Sequence, residues 1–383
     1  MSINSLSAVS QVRQPRGIVT VQGHKADGSL DSVVRLDAWV SFEVTNNINY
    51  EADSFRVVFA LSGLPAAYSD LWWSTQGEVY LEIFAGFPND PTSYTTADLQ
   101  SLVYGRIDTI DYDPVARTIV VSGRDLTSAM IDTKTTESFQ NQTSSQIAII
   151  LANRHGLTPI VTATKKISGK YYAIDTLRFN QSRSEWDILT ALAGEEQMVV
   201  YVSGKSLHFE PPPAASATPY LLTWEPPSNQ NGAFKFNGKR VAFQRALTLA
   251  KGVIVTIRSQ HQRGQTVTAT YPKSASGGLI KPGQSSTGAQ LYYFEYPNLN
   301  QQDAMNKAQQ MHNEISRHEV KLSACLPADN ILQVNNLIQV IGTGTSYDQT
   351  YLPESIVRKM DMHEGYVMDV KAKNHSPQSV IPL

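Results

Sequence analysis

A chain of 383 residues exceeds one ordinary compact core, and at about 100–200 residues per domain it should divide into two to four domains. Apolar residues make up 41% and charged residues 17%, enough to build cores and too little charge for a disordered chain. A net charge of −2 excludes an overall electrostatic footprint for nucleic acid or anionic membrane, and the single cysteine, Cys325, excludes a disulfide framework or a cysteine-rich metal site within one chain.

Residues 1–130 carry 15 Asp/Glu against 8 Lys/Arg, a net of −7, which leaves 19 acidic and 24 basic residues afterwards, a net of +5. Two domains of different surface charge account for this asymmetry, and so do subunits packed end to side. The first residues lack a basic segment followed by a long apolar core, and no run is long enough to span a bilayer, so synthesis and folding are expected in the cytoplasm.

From Gly17 to Asp125 the pattern is strand after strand, starting at Gly17, Ala38, Ser54, Glu78, Leu102 and Thr118. Period-two alternation of β-branched and aromatic residues, broken by Asn, Asp, Gly and Pro, predicts a β-barrel or sandwich. Asp111-Tyr-Asp-Pro-Val-Ala-Arg supplies turn chemistry for a hairpin between the last two strands. Trp72-Trp73 stands out, because adjacent tryptophans of an extended segment cannot both enter one core. Either one anchors an interface or the pair is helical and fully buried.

The character then changes. Thr143-Ser-Ser-Gln146 reads as a capping box before Ile147, Ile150 and Leu151, with Gly156 as the stop. Ser182-Arg-Ser-Glu185 repeats that signature before Trp186, Leu189 and Leu192, closed by Gly194, and a short strand near residues 171–179 lies between the two helices. A hairpin follows over residues 198–210, turning at Ser203-Gly-Lys-Ser, and residues 211–219 read as a proline-rich linker. Residues 131–215 thus form a small α/β unit.

The chain returns to β structure from Val241 to Thr270, with strands at residues 250–257 and 265–270. Residues 273–288, rich in Gly, Ser and Pro, are an exposed loop, either plainly flexible or one that orders on a partner. A helix is predicted over residues 301–318, with Ala304, Ala308, Met311 and Ile315 on one face. The last strands begin at Asn336, Tyr351 and Gly365; their layout parallels residues 78–123, which suggests an imperfect internal duplication.

Chemistry-bearing patterns are sparse. His312 and His318, six apart on a helix, cannot chelate together, and His318-Glu319 and His363-Glu364 lack the second histidine of a zinc-protease motif. No phosphate loop, nucleophile elbow or dinucleotide fingerprint occurs. Glu195-Glu196 and Asp108/Asp111/Asp113 are the nearest carboxylate candidates for glycoside hydrolysis, with solvated charge as the ordinary alternative. Asn141-Gln-Thr and Asn180-Gln-Ser match a glycosylation tripeptide without the export signal that would give it meaning. The expectation is no catalytic, cofactor or metal residues.

The segment Val120-Val-Ser-Gly-Arg-Asp-Leu-Thr-Ser-Ala-Met-Ile-Asp, with Thr143-Ser-Ser-Gln-Ile-Ala-Ile-Ile-Leu-Ala-Asn-Arg-His-Gly-Leu, resembles the phage baseplate hub family. That family includes late-control and Mu-type contractile tail hub proteins and the hub portion of type VI secretion spikes. The likeness continues through Ala304, Ala308, Val320-Lys-Leu-Ser-Ala-Cys-Leu-Pro, Leu337-Ile-Gln-Val-Ile-Gly, Tyr351 and Gly365-Tyr. It implies a mainly β, α+β chain: two tube-like β-barrel domains, residues 1–130 and 216–383, the second with one long helix, flanking the small α/β domain at 131–215.

The resemblance further implies a non-enzymatic homotrimer in the virion tail baseplate, a pseudo-sixfold ring joined to tail tube or tube-initiator proteins, a trimeric spike and other baseplate proteins. It implies no membrane and no specific nucleic-acid binding, with a lumen through which DNA could pass. Because the chain ends at Leu383 soon after the last strand, puncturing and wall digestion are expected of partners. A tail-associated peptidoglycan hydrolase, or a receptor- or carbohydrate-binding tail module with Trp72, Trp73, Tyr292 and Tyr293 as an aromatic platform, are the alternatives.

Overall fold

A computed structural model describes residues 14–374 except 26, 49, 138, 140, 166, 169–182, 213–217, 228–231, 251, 261–265, 273–288 and 297–298. The expected strand near residues 171–179, the loop at 273–288 and most of the proline-rich linker lie outside the described residues. The protein is mainly β. Its described residues fall into two compact units, one within Met1–Ala214, Pro327–Asn335 and Ser355–Asp369, the other within Ala215–Leu326, Asn336–Glu354 and Val370–Leu383.

In the first unit, β1 (Arg16–Gln22), β2 (Val34–Leu36), β3 (Trp39–Asn47), β4 (Ser54–Ala60), β5 (Tyr80–Gly86), β6 (Gln100–Asp113) and β7 (Thr118–Asp125) form an antiparallel sheet in the order β3-β4-β7-β6-β5-β1-β2. Residues 355–361 add a further antiparallel strand on β3, with Arg358 opposite Val44. The alternation read in the sequence becomes the core: Val44, Phe55, Val57, Phe59, Ile83, Ile119 and Val121 are buried. The hairpin expected at residues 111–117 joins β6 to β7.

Gly105 and Gly123 permit an unusually close approach within that hairpin. A Cβ on Gly123 would stand 2.1 Å from the Arg106 carbonyl oxygen and 2.5 Å from the Phe55 ring, and one on Gly105 would stand 2.2 Å from the Arg124 carbonyl oxygen.

α1 (Asp70–Thr75) lies in the β4–β5 connection; the α/β part follows β7 with α2 (Thr127–Asp132) and α3 (Ser144–Arg154). α3 starts on the expected capping box, Thr143 with Gln146, and stops before Gly156 at φ +68°. The helix Glu185–Glu196 departs from expectation: Ser184 and Asp187 make its box, and Gly194 lies inside it. The left-handed terminal position falls instead to Gln197, at φ +57°. Met130, Ile147, Leu151, Trp186, Leu189, Leu192, Val200, Leu207 and Phe209 pack into one core against the hairpin Val199–Ser203 and Ser206–Glu210.

In the second unit, Arg240–Arg245 pairs antiparallel with Val320–Pro327, and Tyr220–Glu225 pairs parallel with Ile338–Ile341. Val253–Gln260 is flanked by Thr266–Tyr271, antiparallel, and Gln290–Glu295, parallel. This strand begins three residues later than the sequence suggests, since Leu247–Ala250 is a helical turn. Helix Gln301–Arg317 covers that three-stranded sheet through Ala304 and Ala308, both fully buried, with Met311 and Ile315 beside them.

Candidate functional site

The pair Trp72-Trp73 lies on α1, where successive side chains point about 100° apart rather than to opposite faces. Trp73 is 2% exposed and tilts against Phe59 at 5.7 Å between ring centroids. Trp72 is half-buried, with Tyr68 at 4.8 Å and Trp73 edge-on at 4.9 Å. Gly23 makes room for it, since a Cβ there would sit 2.7 Å from the indole. Next to these rings, Leu71 is 70% exposed.

Beside α1 a groove of about 380 Å³ is lined by Leu61, Leu64, Pro65, Asp70, Tyr112 and Pro114, among others. Asp70 holds both walls together, accepting from the Leu71 N–H at 2.9 Å and from the Tyr112 hydroxyl at 3.2 Å. A second groove of about 380 Å³ crosses the polar face of β3, β4, β7 and β6, lined by Glu43, Thr45, Arg56, Asp108, Ser122 and Arg124 in part. Both are open and shallow, unlike the enclosed apolar clefts that take small molecules.

Three of the carboxylate candidates, Asp108, Asp113 and Glu196, are engaged structurally. Asp108 receives a bidentate contact from Arg124, at 2.7 and 3.2 Å, and Asp113 accepts from the Val115 and Ala116 N–H groups at 2.8 Å each. Glu196 accepts from the Ser144 hydroxyl at 3.0 Å. His312 lies edge-on to Tyr271 at 5.1 Å, whereas His318 terminates the same helix. Among the described residues no group of three or more His, Cys, Asp or Glu side chains could hold a metal ion.

Tyr292 and Tyr293, neighbours on one strand, face opposite ways: Tyr292 packs toward helix Gln301–Arg317 and Tyr293 is 71% exposed. Among the described residues no helix is long and apolar enough to cross a membrane.

The motif Gly123-Arg124-Asp125-Leu126-Thr127-Ser128 has a physical account residue by residue. Gly123 lets β6 close on β7, and Arg124 also reaches Asp132 on α2 at 3.2 Å. Asp125, 5% exposed, accepts from the Thr127 N–H at 3.1 Å and its hydroxyl at 3.0 Å, and so fixes the turn into α2.

Behind it runs a buried polar chain that sequence reading missed. Asp125 N–H donates to the Asp53 carbonyl at 2.9 Å, and the Asp53 carboxylate accepts from Asn46 at 2.7 Å and from the Asn47 N–H at 2.8 Å. Asn46 in turn accepts from Arg358 at 3.0 Å. Arg358, 4% exposed, also donates to the carbonyls of Asp329, at 3.1 Å, and Leu332. Burial pushes the Asp53 carboxyl up to about 6, against the hydrogen bonds from Asn46 and Asn47 and the Arg358 charge. Asp125 is raised well above the usual carboxylate range by burial and then by the Asp53 charge.

No protein-family model matches the sequence. A search of curated proteins finds no relative. The structure, by contrast, is similar over nearly its whole length to a tail protein from Neisseria meningitidis MC58, with TM-score 0.66, 16% identity, and coverage of 94% of this chain and 96% of that one. A 43 kDa tail protein of prophage MuSo2 from Shewanella oneidensis matches with TM-score 0.58 and 15% identity over 94% and 97%. The chain shares the fold of these two tail proteins.

The likeness extends to a chain of the Francisella PdpA-VgrG complex, with TM-score 0.52 and 9% identity over 98% of this chain and 60% of that one. At such identities it is the architecture that is shared. In this chain the Gly123 contact, the Asp125 turn and the Arg358 chain hold that architecture together.

Proposed function

We propose that this protein is the structural, non-enzymatic hub of a contractile phage tail baseplate. Three copies form a pseudo-sixfold ring that joins the tail tube or its initiator to a trimeric spike, within the virion tail. The observation that carries the reading is the likeness to two phage-type tail proteins over 94% of the chain, with nearly all of each neighbour covered.

In this reading residues 1–130 and 216–383 are the two tube-like domains and 131–215 the α/β domain between them. Sheets that must stack on neighbours need polar faces and covered edges rather than a pocket, which suits the open, charged grooves and the structurally engaged carboxylates. α1 borders the intersubunit surface, with Trp73 anchoring it from within and Trp72 presenting its half-exposed ring.

The test is the mass of the purified protein by light scattering at several concentrations, followed by negative-stain imaging. A trimeric ring with an open centre and sixfold outline is expected, and Trp72→Ala should weaken it. A protein that stays monomeric with a tail tube and spike present, or that clears peptidoglycan in a zymogram, overturns the hub reading.

A further inference from the structure

Asp125 joins the first sheet to the α/β part: it ends β7, and its carboxylate fixes the turn into α2. The polar chain behind it links three carboxylates, Asp53, Asp125 and Asp329, to one guanidinium, Arg358. Ionised together, these groups would leave an excess of negative charge away from water, which a protein relieves by keeping a proton. The donors around each carboxylate decide which group keeps it.

Asp53 is half-buried, and both its oxygens face N–H groups, the Asn46 amide at 2.7 Å and the Asn47 backbone at 2.8 Å. The Asn46 amide is fixed in that sense, because its oxygen accepts from Arg358, which has no acceptor to offer, and its nitrogen also serves the Leu102 carbonyl at 3.1 Å. A proton on Asp53 would meet a donor at either oxygen. Asp329 accepts from the N–H groups of Ile331 and Leu332 at 3.0 and 3.1 Å. Asp125 is 5% exposed, and its two oxygens differ: Oδ1 faces the Thr127 N–H at 3.1 Å, whereas Oδ2 faces the Thr127 hydroxyl at 3.0 Å. A hydroxyl accepts as well as it donates, so a proton on Oδ2 reverses that bond without moving a heavy atom.

We propose that Asp125 holds a proton on Oδ2 at neutral pH in the folded protein, donated to Thr127 Oγ1, and that this proton locks the turn from β7 into α2. The surroundings offer no cation to replace it. Opposite Asp125, β6 presents Gly105, which has no side chain; the β3–β4 connection presents Asp53; and the turn into α2 presents the uncharged, buried Thr127 and Ser128. Arg124 turns to Asp108 and Asp132, and Arg358, with Asp329 and Tyr366 in its electrostatic reach, meets the pair through Asn46. Burial, and then the Asp53 charge, raise the Asp125 carboxyl well above the usual carboxylate range, while Asp53 reaches about 6. Loss of the proton sets a second bare charge near Asp53 and opens the turn. The lock goes beyond the hub reading and does not depend on it.

The test uses the full chain. Asparagine at position 125 copies the protonated acid, since its NH2 can donate to Thr127 Oγ1 and its oxygen can accept from the Thr127 N–H. Asp125→Asn should therefore fold, and the infrared carbonyl stretch of a buried protonated carboxylic acid, present in the wild type at pH 7, should be missing from it. Asp53→Asn places an NH2 against an N–H donor, so it should lower the urea midpoint from pH 5 to 8 while keeping the infrared band. The unfolded chain releases the Asp125 proton near the ordinary aspartate value, so the folded wild type holds one proton more and loses stability as pH rises. Between pH 7 and 8, above the value of about 6 for Asp53, the wild-type unfolding constant should rise about tenfold more than that of Asp125→Asn.

A wild type without the band, a band that survives in Asp125→Asn, an Asp125→Asn protein that does not fold, or equal pH slopes in the two proteins overturns the lock.

Discussion

Replacing Arg358 with Met should destabilise the first unit more than any surface substitution. The guanidinium is 4% exposed and satisfies three acceptors, the Asp329 and Leu332 carbonyls and the Asn46 side chain. Methionine fills a similar volume but donates to none of them, and breaking a buried charged group from its partners costs about 3–5 kcal/mol. The effect should depend on pH, because Arg358 also opposes the rise of the Asp53 carboxyl to about 6.

For such a group the folded state holds a proton that the unfolded chain has released. Its contribution therefore favours folding below the unfolded value and is lost as pH rises through about 6. Without Arg358 the ionised Asp53 is worse placed still, so the variant's deficit should be larger at pH 8 than at pH 5. Urea unfolding followed by tryptophan fluorescence suits the measurement, since Trp39, Trp72, Trp73 and Trp186 lie in the first unit and Trp224 alone in the second. A deficit below about 1 kcal/mol, or an equal deficit at both pH values, would refute the reasoning.

Three further outcomes are expected. Gly123→Ala should leave little folded protein in the soluble fraction, because the new methyl would meet the Arg106 carbonyl at 2.1 Å and backbone cannot yield as a side chain can. Trp186→Phe keeps most of the ring but removes the N–H that donates to the Tyr50 carbonyl at 2.7 Å, so the urea midpoint should fall by the equivalent of about 1–2 kcal/mol. Asn300→Ala removes the side chain that accepts from the Asp303 N–H at 2.8 Å and should cost about 1 kcal/mol, seen as faster amide exchange in the first turn of helix Gln301–Arg317.

Local signals carried the elements that depend on neighbours in sequence. α3 starts on its capping box, and helix Gln301–Arg317 buries the two alanines that its spacing puts on one face. The strands from Arg16 to Asp125 other than β2 follow from alternation, and the β6–β7 hairpin follows from its turn residues. Where a local rule failed, a neighbouring alternative had prevailed. Gly194 did not stop its helix because Gln197 took the left-handed position, three residues further on.

Strand partners were not legible, because alternation specifies which face is buried and not against what. The parallel pairing of Tyr220–Glu225 with Ile338–Ile341, and the antiparallel pairing of residues 355–361 with β3, join segments far apart in the chain. The same holds for the buried polar chain. Asn46, Asp53, Asp125 and Arg358 are unremarkable in sequence, and only the folded sheet brings them within 3 Å or so of their partners, away from water, where a carboxyl and a guanidinium become interdependent. Composition and periodicity thus determined that the chain is modular, mainly β and capped by amphipathic helices. Which strands meet, which charges are buried together and which apolar surfaces are left uncovered was decided by tertiary structure, since those are properties of contacts between distant residues.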